Sequence, residues 1–281
     1  MLEVTGLTRA YGSHTAIADV SLQVADGELV TIVGPSGCGK STLLRCLAGL
    51  LPPTSGQVVL DGAAVTKVPD RLAVVFQDYS RSLYPWLSVA DNVALPLRRN
   101  GGGAANHGGV KNGRPDRSRK GRRQSALAAL DSVGLAGFAD RYPWQLSGGM
   151  QQRVAIARAL ACDPVLLLMD EPFGSMDAQM REDLEDLVLR VRAERDITIL
   201  LVTHDIEESV YTGDRVLVLS RGPGRVVADM PVDLPAPRDQ IATKELPEFA
   251  RLRAEVSRLV RASKQPEPAD PPGASMPAGP R

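Results

Sequence analysis

The chain has 281 residues, 43% of them apolar, enough to bury a substantial core as one large domain or two small ones. Lys+Arg and Asp+Glu number 33 each, so no net field draws the whole molecule to nucleic acid or to an anionic membrane, and any basic patch is local. Cys38, Cys46 and Cys162 are odd in number and lack CxxC spacing, so neither a disulfide framework nor a zinc site is indicated, and a reducing cytoplasm fits best.

The first residues, MLEVTGLTRAYG, carry no charged-then-apolar signal segment. LEVTGL, SLQV, ELVTIV and QVVL then read as strands, interrupted by one helix that begins near Lys40, runs STLLRCLAGL and is stopped by LPPTSG. LAVVF after Arg71 is a buried strand, and Ser88 caps a helical stretch, SVADNVALPLRR. Residues 100–123, NGGGAANHGGVKNGRPDRSRKGRR, have no apolar period and many glycines, and read as a disordered loop with a basic end. A solvated insertion is the plain reading of it; contact with RNA or acidic lipid is the alternative.

Helical spacing resumes at QSALAALDSVGL, and LSGGMQQRVAIARAL from Leu146 opens a longer helix. VLLLMD, ITILLVTH and RVLVLS are strands separated by the long amphipathic helix AQMREDLEDLVLRVRAER and the short helix DIEESVYTGD. The longest apolar runs, VLLLM from Val165 and ILLV from Ile199, are too short to span a bilayer. Strands alternating with helices imply an α/β fold with a mostly parallel core sheet, to which the early hairpin-like strands and the helical middle are attached. The tail from Lys264 is Pro-rich and acquires no core.

The strongest chemical signal is GPSGCGKST from Gly34, a G-x-x-x-x-G-K-[ST] loop lying between a strand and a helix, the context that motif requires. Gly34, Gly37 and Gly39 let backbone N–H groups close around phosphate oxygens, with Pro35, Ser36 and Cys38 filling the unspecified positions. Lys40 neutralises the β- and γ-phosphates, Ser41 offers a hydroxyl to Mg²⁺, and Thr42 sits beside it for the α-phosphate. Asp170, ending VLLLMD, supplies the second magnesium oxygen. Glu171 follows it, placed to orient or deprotonate the water that attacks the γ-phosphate. Gln77 and His204 end two other strands, and residues beyond the carboxyl ends of adjacent parallel strands converge on one crevice. His14 and His107 read as structural. Ser147, Gly148 and Gly149 at the front of a helix form a second anion site, separate in sequence from the first.

These motifs, in this order with VFQD at Val75, LLLMDEPFGSMD at Leu166 and VTHD at Val202, resemble the ATP-binding-cassette family over nearly the whole chain to about Arg221. The resemblance implies a P-loop ATPase cassette at residues 1–235, with an N-terminal antiparallel β-subdomain and an inserted helical subdomain at 78–160. A helical extension at 236–263 and a disordered tail at 264–281 would follow. It implies ATP and Mg²⁺ as ligands, and a head-to-tail homodimer in which Ser147, Gly148 and Gly149 of one copy close over the ATP held by the other. It further implies that Tyr11 stacks on adenine, that Gln77 senses magnesium, and that Asp177 crosses to the partner cassette. Met176 stands where the family more often has leucine.

One cassette without heptads is similar to a transporter engine whose channel is a separate membrane permease; LYPWLSVADNV and FGSMDAQMREDL resemble the branch importing nitrate, taurine and aliphatic sulfonates. That implies an extracytoplasmic substrate-binding protein acting through the permease, no nucleic-acid partner, and a place on the cytoplasmic face of the membrane. An exporter ATPase, or one serving a soluble nucleic-acid-linked process, is the alternative.

Overall fold

The computed structural model describes residues 1–78, 82–99, 118–174 and 176–263; most of the 100–123 stretch, His107, Ser175 and the tail from Lys264 lie outside them. Among the described residues, ten strands form two sheets. β1 (Leu2–Tyr11), β2 (His14–Val24), β4 (Ser55–Leu60) and β5 (Ala63–Ala64) make an antiparallel sheet of order β2-β1-β4-β5. β3 (Leu29–Val33), β6 (Leu72–Val75), β7 (Leu166–Asp170), β8 (Thr198–Val202), β9 (Arg215–Leu219) and β10 (Val226–Pro231) make the second, of order β10-β9-β3-β8-β7-β6. All neighbours in it are parallel except β10 on β9.

The central strands β3, β7 and β8 are buried at every position, as a sheet covered on both faces requires of unbroken apolar runs such as LLLM. One face is packed by the helix Lys40–Leu47 through Leu43, Leu44 and Leu47, together with Ile17, Val20 and Leu22 of β2. On the other, the helix Ala178–Arg195 offers Leu184, Leu187, Val188 and Val191, the i, i+3, i+4, i+7 stripe of a helix lying on a core. A second core joins β9 and β10 to Phe249, Leu252 and Val256 of the C-terminal helix Pro247–Ala262.

The helices Val89–Ala94, Arg119–Ser132 and Gly148–Leu160 pack on one another between β6 and β7. Ser88 caps the first of them by accepting from Asp91 N, as its position in the sequence predicts. Two expectations need correction. The helical stretch after Ser88 breaks at Leu95, because Pro96 has no N–H to continue it. The helix read as starting at Gln124 begins at Arg119, capped by Ser118, so the basic end of the 100–123 stretch is helical rather than loop. β10 and β5 carry weak strand patterns and were not expected; β10 is an antiparallel edge strand, where the final Pro231 is tolerated.

Candidate nucleotide site

Residues 34–39 join β3 to the helix Lys40–Leu47 at the carboxyl end of the core sheet. Ser36, Gly37 and Ser41 are exposed, whereas Cys38 is buried and burial pushes its thiol up. Gly39 has φ 96°, and a Cβ there would sit 2.6 Å from the carbonyl oxygen of Ala16 and 2.6 Å from Ile17 Cγ2. Only glycine fits so close an approach of the loop to β2. Lys40 is buried, and its Nζ donates to the carbonyls of Gly34 (2.9 Å) and Pro35 (3.3 Å), which holds the ammonium over its own loop. Thr42 is half-buried beside Ser41.

Ser41 Oγ donates to Asp170 Oδ1 at 3.2 Å. Burial raises the Asp170 carboxyl above the usual carboxylate range, and the Ser41 hydroxyl partly offsets that. A hydroxyl and a carboxylate side by side beneath a phosphate loop are the hard oxygen donors magnesium takes when substrate phosphates supply the rest, so these residues fit the ion. Among the described residues no group of three or more His, Cys, Asp or Glu side chains forms a metal site of its own.

Glu171 follows with φ 46°, left-handed backbone that a non-glycine residue occupies at a cost. Its N–H donates to Val202 O at 2.8 Å, pinning the end of β7 to β8. Two other strand-end residues meet its side chain: Gln77 Nε2 donates to Glu171 Oε2 at 3.1 Å, and His204 Nδ1 lies 3.2 Å from the same oxygen. The three side chains expected at one crevice are thus in contact, because β6, β7 and β8 are sheet neighbours. Gln77 reaches Glu171 rather than the Ser41–Asp170 pair.

Tyr11 is exposed at the end of β1, paired with His14, with the Arg9 guanidinium 4.8 Å above its ring. His14 is exposed on the same hairpin. From there β2 runs on through Ala16 and Ile17, which back the phosphate loop.

Ser147, Gly148 and Gly149 are not part of this cluster. Ser147 caps the helix Gly148–Leu160 by accepting from Met150 N, and Asp177 caps Ala178–Arg195 by accepting from Met180 N at 2.9 Å. Ser147, Gly149, Met176 and Met180 line one cavity of about 310 Å³ that no phosphate-loop residue borders. Ser147 and Gly149 thus share that cavity with Met176, the residue before Asp177, and not with the phosphate loop.

Three supports escaped the sequence. Gln152, fully buried on the Gly148–Leu160 helix, donates to Pro172 O at 2.8 Å and ties that helix to the segment beside Glu171. Asn92 donates to the carbonyls of Tyr84, Leu87 and Ser88 and accepts from Tyr84 N, fastening the loop that presents Tyr84 and Trp86. Arg181 joins the segments of Asp177 and His204. A polar residue on an apolar helix face signals only the first two.

The ABC transporter family model matches residues 17–174. The taurine import ATP-binding protein TauB of Yersinia pestis is 47% identical over 227 residues, 81% of this chain and 82% of that one. The nitrate import ATP-binding protein NrtD of Synechocystis sp. is 41% identical over 275 residues, 95% of this chain and 97% of that one. Among solved structures, the dimeric post-hydrolysis state of the ATP-binding cassette MJ0796 bound to ADP and Pi superposes with a TM-score of 0.68 at 34% identity, over 83% of this chain and 99% of that one. With the phosphate loop, the strand-end carboxylates and these relatives pointing the same way, the chain belongs to the ABC transporter family.

Proposed function

We propose that this chain is the ATP-hydrolysing subunit of an importer for a small anion such as taurine, another aliphatic sulfonate or nitrate. The observation that carries the chemistry is the meeting of Gln77, Glu171 and His204 on one carboxylate oxygen, one residue from the Ser41–Asp170 pair. Backbone N–H groups of the loop at residues 34–39, Pro35 excepted, and the Lys40 ammonium hold the β- and γ-phosphates. Ser41 and Asp170 would hold Mg²⁺, which when bound would neutralise charge on the phosphate oxygens, and Gln77, whose amide rests on Glu171, would join them. Tyr11 offers the ring face not covered by Arg9 to adenine.

Gln77 and His204 both engage Glu171 Oε2, which leaves Oε1 to take a proton from the attacking water. Water oxygen bonds to the γ-phosphorus as the bond to the ADP oxygen breaks, and His204 stabilises charge on the transferred group.

Ser147, Gly148 and Gly149 complete the pocket of a second copy through hydroxyl, N–H groups and helix dipole, and Asp177 meets that copy beside them. The cavity that Ser147 and Gly149 line without the phosphate loop supports the reading, as does the dimeric state of the solved relative. Permease subunits bear on the chain near Gln77 through Trp86, of which residues 79–81 lie outside the described residues; Trp86 is 71% exposed and edge-on to Tyr84 at 5.3 Å. Closure of the dimer moves this surface and turns the channel outward, where a substrate-binding protein delivers the anion. No described helix is long and apolar enough to cross a membrane.

The test is Glu171→Gln, a substitution that keeps shape and removes the base. With Mg-ATP the variant binds nucleotide and elutes as a dimer, with ADP as a monomer, and hydrolysis drops by about 10²–10⁴-fold. A variant that hydrolyses ATP at the parent rate, or that stays monomeric with ATP bound, overturns the proposal.

A further inference from the structure

Two helix starts lie within reach of one side chain. Asp177 opens Ala178–Arg195, and Asp205, the residue after His204, opens Ile206–Thr212 with Oδ1 accepting from the N–H groups of Glu207 (2.8 Å) and Glu208 (3.2 Å). Arg181 joins these two starts. Its Nη1 donates to Asp205 Oδ2 at 3.3 Å, and its Nη2 donates to the carbonyl of Met176 at 3.4 Å. One planar guanidinium thus touches the residue before Asp177 and the residue after His204.

The geometry fixes His204 between two anchors. On one side, Thr203 N donates to Ile32 O at 3.0 Å, in the strand that leads to the phosphate loop. On the other, Asp205 N donates to Thr203 Oγ1 at 2.9 Å while the Asp205 carboxylate is divided between the helix cap and Arg181. Moving Arg181 therefore moves Asp205, and with it the imidazole that lies 3.2 Å from Glu171 Oε2. A second bridge spans the same two helices farther out: Lys244 Nζ lies 3.5 Å from Glu182 Oε1 and 3.3 Å from Glu207 Oε1. Arg253 holds the other Glu207 oxygen at 3.0 Å.

Stability alone accounts poorly for this arrangement. The side chains of Arg181 and Asp205 are each about one-third exposed, and pairs so open to solvent contribute little. Arg181 Nε is buried without a hydrogen-bond partner, a cost that placement for stability would avoid.

We propose that Arg181 is a positioning residue that conveys the seating of the partner-facing Asp177 segment to His204, so that Glu171 is correctly flanked only when the second copy is in place. This rests on the reading of the chain as a dimeric ATPase. Arg181 contacts the Asp205 carboxylate and the Met176 carbonyl, and it acts through Asp205.

The test is a double-mutant cycle in the full-length protein with Arg181→Met, Arg181→Lys, Asp177→Ala and the double variant that joins Arg181→Met to Asp177→Ala, reading kcat, KM for ATP and melting temperature. Arg181→Met lowers kcat about tenfold and changes KM by less than about twofold, a loss confined to the chemical step. Arg181→Lys recovers part of kcat, and melting temperature does not follow activity across the set. Because both residues act on one path, the double variant is about as slow as the slower single variant rather than about a hundredfold down. Multiplicative losses, an unchanged kcat, or activity that tracks melting temperature overturns the role of Arg181. If Arg181→Met does not fold, Asp205→Asn keeps the cap acceptor, weakens the pair, and is read in the same cycle. Glu171→Gln run alongside separates the two readings: should it hydrolyse ATP normally or stay monomeric with ATP, the dimeric ATPase itself has failed.

Discussion

Gly39 and Gly37 lie two residues apart in the same loop, both with positive φ, 96° and 78°, yet their surroundings differ. A Cβ at Gly37 meets no heavy atom within 4 Å, whereas one at Gly39 meets the Ala16 carbonyl oxygen and Ile17 Cγ2 at 2.6 Å each. Ala16 O is already committed, accepting from Gly224 N at 2.9 Å, so it is not free to withdraw. Gly37→Ala therefore loses only what its left-handed backbone costs, about 1–2 kcal/mol. Gly39→Ala adds overpacking of about 1–3 kcal/mol, or about 2–5 kcal/mol in all. At about 2–4 °C per kcal/mol for a domain of this size, the melting temperature falls by on the order of 10 °C for Gly39→Ala and about 5 °C for Gly37→Ala. Scanning fluorimetry without nucleotide measures both, and titration with a fluorescent ATP analogue separates lost affinity from lost stability. Equal losses in the two variants, or a Gly39→Ala protein as stable as the parent, would refute the claim that β2 is the wall against which the phosphate loop is formed.

Ser147→Ala removes a helix cap worth about 1 kcal/mol, so it melts only a few degrees lower. Its ATP-driven dimerisation and hydrolysis, read by light scattering and phosphate release, fall about ten- to a hundredfold through the lost hydrogen bond to the partner's nucleotide; full hydrolysis would place that hydroxyl outside the pocket. Burial pushes the Glu185 carboxyl up to about 7 from an ordinary 4.5, with a hydrogen bond from Gln240 acting against it. The folded chain then keeps a proton that the unfolded chain releases, so this contribution is whole below pH 4.5 and is lost as pH rises through about 7. Glu185→Gln is correspondingly more stable than the parent at pH 8, by up to about 3 kcal/mol, and equal to it at about pH 4; urea unfolding at the two pH values measures this, and an equal difference at both contradicts it.

The sequence alone determined what depends on short stretches of chain. A glycine-rich loop between an apolar run and a helix declares a phosphate site, because turn conformation, N–H direction and the lysine all arise within the single stretch GPSGCGKST. The strand-end positions of Gln77, Asp170, Glu171 and His204 were equally legible, since a buried parallel strand reads as an apolar run that stops abruptly. What joins distant segments was decided by tertiary structure. That Glu171 Oε2 receives both Gln77 and His204 depends on β6, β7 and β8 lying side by side. That Ser147 and Met176, the residue before Asp177, line one cavity without their own phosphate loop depends on how two helices pack, and the contacts of Arg181, Gln152 and Lys244 depend on side chains meeting across such packing. Local pattern fixes the conformation of a segment, but a contact between segments is chosen by the burial of the whole core, which no short stretch of sequence carries.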